Sequence, residues 1–183
     1  PAKPPTSVTF GRTIVKGAMI WDEVEKAGVP GVKGVWCHEA GASRLWNVIA
    51  IEQMYPGHAK QAAMMAANCH AGNYAGRWVI VVDDDIDVRS WTDVIWAIST
   101  RMDPVRDVTL VDGTPIDYLD FASPEPGLGG KMGLDATNKI PPETSRDWGR
   151  TLAMSDEVIA KVDEMWDKLG LPGSGQNIWK KGE

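Results

Sequence analysis

The sequence has few cysteines, no long apolar run and an excess of acidic over basic side chains. Only Cys37 and Cys69 occur among its 183 residues, and two reduced, buried thiols are the ordinary state of such cysteines in a cytosolic protein. No apolar run approaches the ~20 residues that a membrane helix needs, and no secretory signal precedes Pro1. A net charge of −6 argues against nucleic acid as a partner. We therefore expect a cytoplasmic protein with no membrane span.

Each cysteine is followed by a histidine, in Cys37-His38 and Cys69-His70. These four residues are a conceivable zinc site. Adjacent side chains, however, point to opposite faces of a strand and diverge by about 100° on a helix, so each pair is poorly placed to bind one ion. The sequence therefore predicts no metal site from these residues.

A run of β-branched residues gives the clearest indication of the fold. Residues 79–82 read VIVV and end at three aspartates, Asp83, Asp84 and Asp85. This pattern is typical of a strand that is buried on both faces of a sheet and whose carboxyl end reaches solvent. The sequence therefore predicts an α/β fold, a mixed sheet flanked by helices, in which ligands usually bind at the carboxyl edge.

The remaining elements follow from apolar spacing and from glycine and proline. Helices are predicted at residues 18–27, 57–70, 91–101 and 156–169, strands at 32–38, 45–51, 77–82 and 108–111, and a long Gly/Pro-rich loop at 112–142. The first two strands should form an antiparallel hairpin. Ser90 or Asp87 can cap the third helix, and Ser155 can cap the last.

Two motifs have alternative interpretations. The aspartates at 83–87 are able to bind Mg²⁺ or Mn²⁺, but we favour a structural role in which they bond the amides of their own turn and the start of the next helix. The segment Gly127-Leu128-Gly129-Gly130-Lys131 resembles a phosphate-binding loop, yet Met132 stands where Ser or Thr is needed. A flexible covering loop with an exposed Lys131 is the favoured interpretation.

Several ordered segments together resemble one enzyme family. They are the acidic turn at 83–87, residues 91–104, residues 112–123 and the run KMGLDATNK at 131–139. This pattern, over residues 8–170, resembles the carboxyl-terminal domain of UbiD-like decarboxylases. The resemblance implies an enzyme that removes, or reversibly adds, carbon dioxide on an aromatic or unsaturated carboxylic acid, with prenylated FMN and a divalent metal, Mn or Mg, as cofactors.

The resemblance also implies where the chemistry resides. In the family, the flavin, the metal and a glutamate–arginine–glutamate network belong mostly to a preceding domain, so we expect no catalytic residue and no activity in this chain alone. Residues 1–7 are interpreted as a linker remnant and 171–183 as a flexible tail. The chain is expected to close the substrate pocket and to form homo-oligomers. The alternative function is a stand-alone α/β binding or assembly module.

The resemblance assigns roles to four residues. His70 aligns near a position that binds the flavin phosphate in some members, and Asn73, Thr114 and Ile116 align with residues that line the substrate pocket. A histidine is able to donate to a phosphate. Pro115 stiffens the turn, so that Ile116 presents an apolar wall. The alternatives are an ordinary histidine at a helix end and a simple packing turn.

Overall fold

The computed structural model describes residues 6–73, 76–149 and 152–169. The chain divides into two compact units, residues 1–145 and residues 146–183. The first unit comprises α1 (Ser7–Lys26), β1 (Val32–Cys37), β2 (Trp46–Ile51), α2 (His58–Asn68), α3 (His70–Asn73), β3 (Trp78–Asp83), α4 (Trp91–Arg101), β4 (Val108–Pro115) and β5 (Leu128–Ala136). The second contains α5 (Asp156–Met165), which continues into a 3₁₀ turn at Trp166–Leu169.

The first unit is built on a mixed sheet with the strand order β1-β2-β3-β5-β4. Strands β2, β3 and β5 are parallel, whereas β1 and β4 run antiparallel to their neighbours. The predicted α/β fold and the hairpin of β1 and β2 are therefore confirmed. The carboxyl ends of β2, β3 and β5 define one edge of the sheet and their amino ends define the other.

Strand β3 lies between two hydrophobic cores, as its sequence predicts. Val79 and Val81 belong to the core that α1 and α2 form on one face. Ile80 and Val82 belong to the core that α4 forms on the opposite face. All four side chains are fully buried, because alternate residues of a strand point to opposite faces.

Helix α1 begins at Ser7, eleven residues before the predicted start at 18. Thr6 caps it by accepting a hydrogen bond from the amide of Thr9. The prediction was wrong because Gly11 and Gly17 lower the helical propensity of this segment. Gly17 is required by packing, since a Cβ there would lie 2.8 Å from the carbonyl oxygen of Val35 in β1. Residues 6 and 7 of the predicted linker thus belong to the helix start, and residues 1–5 lie outside the described residues.

Two parts of the predicted loop at 112–142 are strands in the structure. Strand β4 continues to Pro115, and Leu128–Ala136 form β5, which pairs with both β3 and β4. Strand β5 was not predicted because it contains glycines at 129, 130 and 133, and glycine has a low strand propensity. The connection between β4 and β5 is residues 116–127.

Helix α5 matches the predicted helix at 156–169, and the Ser155 side chain accepts a hydrogen bond from the amide of Val158 as its cap. The predicted tail at 171–183 lies outside the described residues. None of the helices in the described ranges combines the length and the apolarity that crossing a bilayer requires.

Candidate functional site

The four residues singled out by resemblance lie at the edge of the sheet where the parallel strands begin. His70 and Asn73 belong to α3, which leads into the amino end of β3. Thr114 lies near the end of β4, where it pairs with Gly129 at the start of β5. Ile116 follows directly. The residues therefore gather at the amino edge, opposite the carboxyl edge at which the fold class favours ligands.

Asn73 is held by a buried lysine from β5. The Nζ of Lys131 donates to Oδ1 of Asn73 at 3.1 Å and to its main-chain oxygen at 2.8 Å. A third bond, of 2.6 Å, reaches the carbonyl oxygen of Ala67 in α2. Lys131 is only 2% exposed, and burial lowers the pKa of its ammonium. The prediction of an exposed lysine on a flexible loop is wrong, because Lys131 lies in a strand and points under the helices.

Thr114 and Ile116 are fixed against the start of β5. The Thr114 hydroxyl donates to the carbonyl oxygen of Gly129 at 3.2 Å. A Cβ on Gly129 would lie 3.1 Å from the Ile116 side chain, so Ile116 packs closely against this part of β5. Ile116 is 1% exposed and presents almost no surface within this chain. Its role as a pocket wall stays a prediction, and its burial weighs against that role.

His70 differs from its three companions in being exposed. It is the first residue of α3, whereas the half-buried Asn73 is the last. The two side chains therefore lie at opposite ends of one helical turn. Asn73 and Thr114 form hydrogen bonds to residues 129–131 of β5, and Ile116 packs against the same segment. His70 takes part in none of these contacts.

Two ion pairs hold the connection between β4 and β5 against the amino edge. Asp117 pairs with Arg44, which precedes β2, and Asp120 pairs with Arg77, which precedes β3. A hollow of about 360 Å³ adjoins this connection. Its lining includes Arg77, Trp78, Leu110, Ser123, Lys131 and Met132. Trp78, one of these lining residues, stacks on Trp46 with 5.0 Å between the ring centroids.

The carboxyl edge is closed by ion pairs. Arg101 donates to both Asp83 and Asp85 at 2.8 Å, and Asp83 also accepts from the amide and the side chain of Asn138. Burial raises the pKa of Asp83 to about 6, although Asn138 and Arg101 oppose this shift. The guanidinium occupies the place that a cation would need between these carboxylates. This arrangement favours the structural interpretation of the acidic turn.

The two cysteines and His38 have separate structural roles. Burial raises the pKa of Cys37 to about 12 and that of Cys69 to about 11, so both thiols stay protonated at neutral pH. The Nε2 of His38 bonds the carbonyl oxygen of Val88 at 3.1 Å. Among residues 6–73, 76–149 and 152–169, no three His, Cys, Asp or Glu side chains are arranged to hold a metal ion.

Sequence reasoning missed the groups that hold this edge together. The partners Arg44 and Asp117 are 73 residues apart, and Lys131 and Asn73 are 58 apart. Local spacing does not reveal such pairs. The sequence does contain one indication of β5, because Met132 and Leu134 alternate with Lys131 and face the opposite side of the sheet. The surrounding glycines make this strand pattern hard to recognise.

Comparison with protein families adds the decisive observation. The model of the carboxyl-terminal domain of 3-octaprenyl-4-hydroxybenzoate carboxy-lyase, UbiD, matches residues 9–136. The chain belongs to the UbiD family. The matched residues include all five strands of the sheet, so the family fold and the first unit of this chain coincide.

Solved structures support the membership. The UbiD-class enzyme HmfF from Pelotomaculum thermopropionicum, in complex with FMN, is 32% identical, with a TM-score of 0.67 over 80% of this chain and 32% of its own. Vanillic acid decarboxylase from Sedimentibacter hydroxybenzoicus, in an open form, is 26% identical, with a TM-score of 0.77 over 91% of this chain and 35% of its own. An evolved dimeric HmfF in complex with prFMN is 29% identical, with a TM-score of 0.60 over 78% of this chain and 27% of its own.

This UbiD domain spans about a third of the length of the solved enzymes that it matches. Its relatives are prenylated-FMN decarboxylases and flavin-bound enzymes of the same class. The prediction of a UbiD-like carboxyl-terminal domain is therefore confirmed.

Proposed function

We propose that this chain is the carboxyl-terminal domain of a prenylated-FMN-dependent enzyme that decarboxylates, or reversibly carboxylates, an aromatic or unsaturated carboxylic acid without net oxidation. The observation that supports this most strongly is the family match over all five strands. The similarity to a flavin-bound HmfF and to a vanillic acid decarboxylase agrees with it. The catalytic glutamates, the arginine and the Mn or Mg site belong, in this proposal, to a preceding domain.

The residues of this chain fit an edge contact with the flavin. His70 is exposed at the amino edge, where its imidazole is able to donate to a phosphate oxygen. Asn73 and Thr114 are anchored nearby through β5. The prenylated flavin, when bound, supplies an electron-accepting ring system that stabilises the charge left as carbon dioxide departs.

In this proposal the chain positions the substrate and excludes water from the pocket. The ion pairs Arg44–Asp117 and Arg77–Asp120 hold the 116–127 connection against the sheet. A fixed wall costs little ordering when a ligand binds, which favours a productive pose. We propose that this edge closes the substrate pocket and that the chain also joins subunits.

The test is to express the full-length protein and this chain separately, each with prenylated FMN and Mn²⁺. We expect the full-length protein to release carbon dioxide from at least one member of a panel of hydroxybenzoate-type, heteroaromatic and cinnamate-type acids. This chain alone should match a heat-killed control. Clear turnover by the chain alone would place the chemistry here. A full-length protein without a flavin-binding domain would support the stand-alone binding module instead.

A further inference from the structure

Lys131 determines which atom of the Asn73 amide is free to meet a ligand. An amide side chain has one acceptor oxygen and one donor nitrogen, while an ammonium has three donors and no acceptor. The group of Asn73 that faces Nζ must therefore be Oδ1, and the structure places it there at 3.1 Å. Rotating the amide by 180° would set an N–H group against an ammonium.

The lysine is fully occupied by this arrangement. Its three donors have three acceptors, the carbonyl oxygens of Ala67 and Asn73 and the side-chain oxygen of Asn73. Its ammonium, in a side chain that is only 2% exposed, has no free donor for a ligand. Ala67 lies near the end of α2 and Asn73 ends α3, so one ammonium ties both helix ends to β5. Lys131 thus acts through Asn73.

The other end of the amide is its NH₂ group. The Nδ2 of Asn73 has no hydrogen-bond partner among the residues that the structure describes, and Asn73 is only half-buried. In the proposed function the pocket closes over this edge, so a ligand there displaces water from the NH₂. The NH₂ then needs an acceptor in return.

We propose that Lys131 is a positioning residue that holds the Asn73 amide so that its NH₂ faces the substrate, and that the enzyme thereby selects acids with a hydrogen-bond acceptor at the position opposite Asn73. This inference rests on the proposed function, because it assumes that Asn73 lines the substrate pocket. The substrate class that it names is an aromatic or unsaturated acid bearing an ether, carbonyl or phenolate oxygen. A purely apolar substituent at that position would leave the NH₂ without a partner.

The experiment compares acids that differ only in this property, using the full-length enzyme with its flavin. Methoxy and ethyl groups are similar in shape, but only methoxy has an acceptor. Each is placed in turn at the ortho, meta and para positions of an acid that the enzyme decarboxylates, and the ratio of kcat/KM for methoxy over ethyl is measured. Comparing this ratio between variants cancels the intrinsic reactivity of the two acids.

We expect the methoxy/ethyl ratio of the wild-type enzyme, at one ring position, to exceed that of Asn73→Asp. The carboxylate of the variant has no donor for the methoxy oxygen, and the loss of one hydrogen bond should lower the ratio by about tenfold. Lys131→Met, which frees the amide to rotate, should lower the ratio in the same direction by a smaller factor. Lys139→Met is the matched control. It removes another buried lysine, at the opposite edge, where Nζ bonds Asp135 at 2.7 Å, and it should leave the ratio unchanged.

The outcomes separate the two proposals. If the wild-type enzyme decarboxylates none of the acids, the proposed function fails. If it is active but Asn73→Asp keeps the wild-type ratio at every position, the inference about Asn73 is wrong. Should Lys131→Met fail to fold, Asn73→Asp still decides. A ratio that also falls in Lys139→Met would assign the effect to general destabilisation.

Discussion

Two buried charges in this domain, Lys131 and Arg101, are held by partners in other secondary-structure elements. Lys131 bonds α2 and α3 from β5, and Arg101 bonds the acidic turn from the end of α4. An unpaired charge in such surroundings would cost several kcal/mol. These side chains therefore fix the two edges of the sheet, and each edge is sensitive to the loss of a single group.

Ile116 offers a direct test of packing against ligand contact. It is 1% exposed and lies against Gly129, so we expect Ile116→Ala to lower the free energy of unfolding by about 2–5 kcal/mol. Ile95→Ala, at a site that is 43% exposed on α4, should change it by about 0.5 kcal/mol or less. Urea unfolding of this chain measures both. If Ile116→Ala leaves the stability unchanged but alters the preference among acids in the full-length enzyme, Ile116 belongs to the wall of the substrate pocket.

Asp83 should make stability depend on pH. Its pKa of about 6 in the folded chain exceeds the usual value of 3.8, chiefly because of burial. The folded state therefore binds the proton more tightly than the unfolded state, and this stabilisation is present below about pH 4 and is lost as the pH rises through 6. Relative to Asp83→Asn, the wild-type chain should lose up to about 3 kcal/mol across this interval.

Chemical denaturation at several pH values between 4 and 7 provides this measurement. Groups that do not interact with residue 83 contribute equally to both chains, so their effects cancel in the difference. A difference that is independent of pH, or that grows as the pH rises, would mean that Arg101 and Asn138 outweigh the burial of Asp83.

Among the secondary-structure elements, the packing of α1 on β1 depends on one glycine. We expect Gly17→Ala to lower the free energy of unfolding by about 1–3 kcal/mol, because its Cβ would lie 2.8 Å from the Val35 carbonyl oxygen. Gly11→Ala on the same helix is the control. Nothing lies within 4 Å of a Cβ there, so the substitution should stabilise the chain by about 0.5–1 kcal/mol. Equal effects at the two positions in thermal unfolding would contradict close packing at Gly17.

The sequence predicted elements whose local pattern agrees with their packing. Strand β3 and the capped helices α4 and α5 have clear boundaries because apolar spacing and capping residues coincide. The start of α1 and the whole of β5 were not predicted, since glycine is selected there for close approach and not for local propensity. The candidate residues came from resemblance, whereas the bonds that position them come from residues far away in sequence.

In the whole chain, the sheet and its two cores belong to residues 1–145, and α5 belongs to the separate unit of residues 146–183. This helix has no buried residue. Its apolar side chains Val158, Val162 and Met165 are 45%, 41% and 40% exposed, respectively. A helix of ten residues is marginal in water by itself, and most helical stability comes from covering an apolar face. We therefore expect this face to be covered in the assembled protein.

We expect the chain to form a dimer or a larger oligomer in solution, with the apolar face of α5 at the interface. Most such assemblies use a two-fold contact. Light scattering at high micromolar concentration measures the mass. Val162→Lys and Trp166→Ala should shift it toward the monomer, since the first places a charge in the apolar face and the second removes a large aromatic contact. Val105→Lys, at a position that is 91% exposed in the first unit, should leave the mass unchanged. A monomer mass for the unsubstituted chain, unaltered by either α5 substitution, would show that α5 does not join copies of this chain.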